Sequence, residues 1–311
     1  MKPGTRTLEV LFWLLPVPVF FLLPGYLVLG SQVLIVALFA MSLDLLLGYA
    51  GIVSLGHAAF FGVGSYTAGL LAAHGWGEPL TGLLAGAMAA ALFGFIVSFL
   101  VVRGEDLARL MVTLGIGLLT YEAANRAAFI TGGVDGLSGV VMWKLFGIFP
   151  FDLGGRTAFA YSYFVLLAIF IIVRRVVDSP FGLSLRGIRE NRHRMPAIGA
   201  PVRRRLVSAF TLGAAIAGVS GALLAQTTQF VGLDTLGFDR SANLLIMLVL
   251  GGTGRLYGAI IGTVIFMVAQ DYLSGINPVY WQFWLGLLLV MFVFFARGGI
   301  LGALEAVWKR R

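Results

Sequence analysis

GYAGIVSLGHAAFFGVGSYTAGLL, residues 48–71, sets six glycines (48, 51, 56, 62, 64 and 69), one histidine and two serines in an otherwise apolar run. The run is too apolar for an exposed loop. It is also too rich in glycine for an uninterrupted membrane helix, because each glycine inside a helix costs about 1 kcal/mol relative to alanine. Non-helical backbone at membrane depth survives only where it is buried in protein or lines a wet cavity. The spacing therefore predicts a break at Gly48, Gly51 and Gly56, then a helix through Gly62, Gly64 and Gly69. Gly62 and Gly69 read as packing positions, where a missing side chain lets a neighbouring helix approach. The freed backbone groups and Ser54, His57, Ser65, Tyr66 and Thr67 offer hydrogen bonds to a polar solute. Ser54, Gly56, His57, Ser65 and Tyr66 are accordingly the candidate pathway residues, with packing as the competing role for Ser54 and His57.

Composition sets the solvent around this stretch. Of 311 residues 59% are hydrophobic and 12% charged, with a mean hydropathy of +0.96, whereas soluble domains carry about 25% charged residues. The fold class is an all-α polytopic membrane protein forming one transmembrane domain over residues 1–311. Apolar runs near 8–24, 26–47, 56–73, 80–102, 107–130, 157–177, 206–229, 241–254, 256–273 and 280–296 predict about ten transmembrane helices. Lys2 and Arg6 before the first run resemble a secretory signal, but no small-residue cleavage site follows, and Pro16, Pro18 and Pro24 interrupt it; it reads as a retained helix.

The net charge of +8 does not mark a nucleic-acid binder, because the basic residues cluster in short segments between apolar runs. With both termini inside, only Arg126, Lys144, Arg156 and Arg240 of the 22 basic residues fall outside. Cysteine is absent, which excludes disulfides and Cys-ligated metals. His57, His74 and His193 lie in different segments, so neither a metal site nor a nucleophile constellation forms and no cofactor or enzymatic activity is implied. Asp44 and Asp271 fall near helix ends, and Glu122 precedes Arg126 by one turn. Interfacial or paired placement accounts for all three and leaves a proton-coupled transporter without its relay.

Two loops are too polar for lipid: residues 131–156 outside and 178–205 inside. In the second, Ser179-Pro180 starts a helix, Leu183, Gly187 and Glu190 have helical spacing, and Pro196 and Pro201 end the run. This predicts a basic amphipathic helix on the cytoplasmic surface, seated on anionic membrane lipid or on a partner subunit. A shift of 200 residues also sets HAAFFG (57–62) on YGAIIG (257–262), each after a glycine-rich break, a weak sign of an internal repeat.

Four segments carry a resemblance: SLDLLLGYAGIVSLGHAAFFGVGSYTAGLL (42–71), TGGVDGLSG (131–139), SPFGLSLRGIRENRHRMPAIGA (179–200) and LLIMLVLGGTGRLYGAIIG (244–262). In content and order they resemble the permease subunits of branched-chain amino acid ABC importers, M-type. The resemblance implies a multi-pass permease of the bacterial inner membrane with both termini cytoplasmic. It further implies a homologous second permease, two cytoplasmic ATP-binding subunits and a periplasmic substrate-binding protein. Loop 131–156 becomes a periplasmic loop with Thr131, Gly132, Gly133, Asp135 and Gly136 as its motif. Loop 178–205 becomes the coupling loop, with Gly182, Arg186, Gly187, Arg189 and Glu190 at the ATPase. Asn191, Arg192, His193, Arg194 and Pro196 depart from the acidic and small residues usual there. One residue-level reading agrees independently: Lys2, Lys144 and Lys309 are the only lysines and none follows Gly, so the chain has no Walker A loop and any ATP must be hydrolysed by a partner.

Overall fold

Proline and glycine decide where the helices of this protein stop. The computed structural model describes residues 3–152, 154–295, 299, 300 and 302. Pro16 and Pro24 divide the first apolar run into α1 (Pro3–Leu14), α2 (Pro16–Leu22) and a 3-10 turn, since proline supplies no N–H to the preceding turn. Glu9 holds α1 to the bundle by pairing with Arg174 and accepting from the Tyr257 hydroxyl.

α3 (Leu27–Asp44) then passes into a π-turn over Leu45–Tyr49, and the chain leaves helical geometry before α4 (Ala58–Ala73). Gly51 takes a φ of +69°, a conformation costly for any residue with a Cβ. The break predicted from residues 48–56 is thus present. α5 (Pro79–Val101) starts with proline at its first position and Glu78 accepting the Thr81 N–H at 2.9 Å. The chain continues through α6 (Asp106–Arg126), α7 (Ala128–Thr131), α8 (Arg156–Asp178), α9 (Pro180–Glu190) and α10 (Val202–Thr228). α11 (Phe238–Gly251), α12 (Leu256–Ile276) and α13 (Trp281–Phe295) follow. Among the described residues extended pairing is confined to two isolated bridges, Leu137 with Val231 and Leu145 with Phe149.

Among the described residues, six helical segments are long and apolar enough to cross a membrane: Pro24–Tyr49, Pro79–Val101, Leu107–Arg126, Arg156–Asp178, Val202–Thr228 and Leu256–Ile276. The other four segments expected to span fall on shorter helices, each for a visible reason. Proline splits α1 from α2, while α4, at 16 residues, and α11, at 14, each abut a glycine break. α13 is described only to Phe295. α10 is the hub: Gly218 lies against Gly64 of α4 and Gly86 and Ala90 of α5, Gly221 against the Phe61 carbonyl, and Ala214 against Gly94. A Cβ at these glycines would collide with backbone or a methyl group, so α4, α5 and α10 touch nearly backbone to backbone. α6 is the least buried of the six candidate spans.

Candidate functional site

The first break, residues 50–57, is held by hydroxyls borrowed from other helices. Leu55 N–H donates to Thr113 Oγ1 of α6 at 3.2 Å and Ala58 N–H to Ser241 Oγ of α11 at 2.9 Å, while Ile52 N–H turns back to the Leu46 carbonyl at 2.9 Å. These bonds replace helical partners that the break removes. Gly56 is pressed between the Thr113 carbonyl and Gly117 N, so α6 crosses the break with no side chain in between.

Sequence reasoning placed five pathway residues here. All five are buried, and Ser54, His57 and Ser65 have no solvent exposure at all. Ser42 Oγ of α3 donates to the Phe39 carbonyl at 2.6 Å and lies 2.8 Å from His57 Nε2. That commits the single serine proton, so the network assigns the imidazole proton to Nε2 and a bare lone pair to Nδ1. Phe39 stacks on the ring at 5.5 Å. Among the described residues Ser54 Oγ, His57 Nδ1, Ser65 Oγ and Tyr66 Oη make no hydrogen bond. Leaving a buried polar atom unpartnered costs about 1–3 kcal/mol; away from the break, Ser162 Oγ on α8 and Gln226 Oε1 on α10 are left the same way. Gly62 and Gly69 are packing positions, but against loop side chains and not a neighbouring helix: Gly62 seats Leu236 of the 3-10 turn Leu233–Leu236, and Gly69 seats Val231 and Leu137.

Three cavities lie near this break, two of them touching it, and of the five candidate pathway residues only Gly56 lines any of the three. One of about 330 Å³ is lined by Gln32, Asp234, Asp239, Arg240, Asn243 and Gln270. Asp239 also lines the next, of about 210 Å³, with Leu55, Gly56, Tyr121 and Ser241. Past Ser54 the break reaches a third, of about 560 Å³, at Ala50 and Gly51, where Arg103, Arg109, Arg189, Arg192 and Glu105 form the wall. Arg240 bonds Asp234 at 2.7 Å and lies over the Phe61 ring. Sequence reasoning missed Thr113, Asp239, Arg240 and Ser241; polar side chains inside apolar helices were the available signal.

A second break separates α11 from α12, with Gly252 and Gly254 at φ of +102° and +79°. Gly254 N–H donates to Asp44 Oδ1 at 2.7 Å. Asp44 was expected to be interfacial or paired. It is instead wholly buried on α3 and holds the second break against the first. Glu122 and Arg126 form the expected ion pair at 2.7 Å, and Asp271 is exposed. The segments HAAFFG and YGAIIG each open the helix that follows a break.

In loop 131–156, Thr131 caps the helix end by donating to the Ala124 carbonyl at 2.6 Å and accepting the Gly133 N–H. Gly132, Gly133 and Gly136 have positive φ, Gly136 lies under the Phe230 ring, and Asp135 is exposed. In α9, Gly182 rests on the Val177 carbonyl, which makes the α8–α9 corner sharp; Gly187 receives Met195 of its own loop. Arg186 lies over the Tyr49 ring, Arg189 donates to the Gly48 carbonyl, and Glu190 is exposed. Leu185 and Ile188 face inward while Leu183 is 61% exposed.

A helical bundle of membrane-spanning length, broken twice at glycines that meet on one buried carboxylate, with unpartnered polar atoms along the first break, suits a membrane transport permease. The family model for the permease component of branched-chain amino acid transport systems matches residues 26–295, and the chain belongs to that family. It is 29% identical over 297 residues to the high-affinity branched-chain amino acid transport system permease protein LivM of Escherichia coli (strain K12), covering 88% of this chain and 69% of that one. It is 28% identical over 228 residues to the L-arabinose ABC transporter permease protein AraH of Azospirillum brasilense (68% and 63%). It is 25% identical over 263 residues to the permease protein LivH of Escherichia coli (strain K12) (77% and 82%). No solved structure matches the chain.

Proposed function

We propose that this chain is the permease subunit of an ABC importer that carries branched-chain or related hydrophobic amino acids through the bacterial inner membrane, with ATP hydrolysed by two partner subunits. A homologous second permease and a periplasmic substrate-binding protein complete the assembly. The observation that carries the reading is the first break: Ser54, His57, Ser65 and Tyr66 keep buried polar atoms without partners among apolar and small residues. Uncovered when the break opens, such atoms suit a zwitterion with an apolar side chain. Asp239 and Arg240 at one cavity and the arginines beside Gly51 at another provide both charge signs.

The topology that fits has ten spans, α4 and α11 being the short members, with α9 and both termini cytoplasmic and loop 131–156 periplasmic. Leu183 and Glu190, on the outer face of α9, then meet the ATPase. α6, the least buried candidate span, faces the second permease across a polar strip that includes Tyr121 and Glu122. Urea or a short amide is the alternative cargo for the same polar atoms, and the likeness to an arabinose permease makes a sugar the third to test.

The experiment is uptake into proteoliposomes containing this chain with a second permease, ATPases and a binding protein of the same system. ATP-dependent accumulation of radiolabelled leucine, isoleucine or valine is the expected result. Accumulation of urea, acetamide or arabinose in their place overturns the cargo, and accumulation that ignores ATP overturns the importer.

A further inference from the structure

Arg189 was expected at the ATPase; it is exposed on α9, yet its side chain also reaches into the bundle. Its aliphatic stem lies along Gly51, with Cγ 3.1 Å from where a Cβ on that glycine would stand. Its Nη1 donates to the carbonyl of Gly48, in the π-turn that ends α3. The same nitrogen lies 3.0 Å from the position a side chain would take on Gly254, in the second break. Gly254 in turn donates to Asp44, and a Cβ on Gly48 would overlap both Asp44 Oδ1 and Gly254 N. One side chain of α9 therefore touches both breaks where they are joined.

Merely fastening α9 to the bundle does not require this. Arg192, one turn on, already does so by donating to the Val102 carbonyl at 2.7 Å, at the end of α5. Both arginines sit at helix ends whose carbonyls lack intrahelical partners, where a cation is favourable. Arg189 alone sits at the junction of the breaks, and its planar fork of five donors can serve two segments at once. The outer face of the same helix leaves Leu183 and Glu190 exposed, so α9 has one side for a partner and one arginine for the breaks.

We propose that Arg189 is the positioning residue through which movement of α9 is passed to both glycine breaks together, so that they open and close as one gate. The proposal rests on the importer reading above. When an ATPase draws α9 outward, the guanidinium leaves Gly48, Gly51 and Gly254 in a single step, and Asp44 keeps the two breaks in register as they move.

The chain has no cysteine, so a single thiol at Val53 or at Thr253 reports on one break each. The full complex in nanodiscs is compared before and after trapping with ATP and vanadate. With Arg189 present, trapping should change the thiol labelling rate at both positions. In Arg189→Ala both changes should vanish, and hydrolysis stimulated by the loaded binding protein should fall about tenfold, equivalent to about 1.4 kcal/mol. The ATPase should still co-purify. Arg189→Lys keeps a single donor nitrogen and the stem over Gly51, so it should recover part of both labelling changes in equal proportion. That variant carries the test if the alanine form does not fold. Retained labelling changes in Arg189→Ala, a response at one break without the other in either variant, or loss of the bound ATPase each overturns the proposal. If the complex with Arg189 intact does not respond to loaded binding protein, the importer reading itself falls and this inference with it.

Discussion

Replacing Gly56 by alanine tests whether the first break is built on direct contact between two backbones. An added Cβ would overlap the Thr113 carbonyl oxygen and stand 2.8 Å from its carbon and 3.1 Å from Gly117 N. Backbone atoms in the middle of α6 cannot rotate away as a side chain would, so α6 or the break must shift. Overpacking of this kind costs about 1–3 kcal/mol. The shift also pulls Leu55 N–H off Thr113 Oγ1, a bond of 3.2 Å worth about 1 kcal/mol. The total, about 2–4 kcal/mol, corresponds to a fall in Tm of about 4–8 °C at ~2 °C per kcal/mol. Gly115→Ala is the control: it lies in the same helix with nothing within 4 Å of its added Cβ, so it should be neutral or gain up to about 1 kcal/mol in helix propensity. Thermal melting of the purified variants in detergent, with membrane abundance and leucine uptake measured beside it, makes the comparison. A Gly56→Ala protein that melts with Gly115→Ala and transports normally refutes the reasoning.

The Ser54 hydroxyl has no partner, so Ser54→Ala should leave Tm unchanged or raise it while weakening uptake; unchanged transport kinetics would assign Ser54 to packing. Ser138→Cys in the exposed turn of loop 131–156 should react with an impermeant thiol reagent from the periplasmic side, and Ser184→Cys on α9 should not. Equal labelling would reject the ten-span topology. Glu190→Lys should release the ATPase or uncouple hydrolysis from uptake, as measured by co-purification and by hydrolysis with loaded binding protein. Stronger membrane attachment with coupling intact would mean that α9 is a lipid-binding helix.

Much of the architecture was legible because the bilayer imposes simple rules on sequence. Apolar length marked the spans, glycine clusters at 48–56 and 251–254 marked the breaks, and Ser179-Pro180 marked the start of α9. Ser54, His57, Ser65 and Tyr66 stood out because polar residues among glycines in an apolar run are costly to bury. Thr113, Asp239 and Ser241 escaped notice because a lone polar residue in an apolar helix looks the same in sequence whether it bonds its own turn or reaches across to another segment.

What the sequence by itself determined, then, is local: which stretches lie in the membrane, where helix gives way to irregular backbone, and which family the chain resembles. Only the tertiary structure decided which partners those irregular stretches meet, because that depends on contacts between residues far apart in the chain. Asp44 and Gly254, 210 residues apart, join the two breaks. Gly48 and Arg189, 141 apart, bring α9 to the same point. Gly187, which reads in sequence as room for a partner, is filled by Met195 of its own loop. Glycine specifies only that a backbone can approach; the packing of the whole bundle selects which one does.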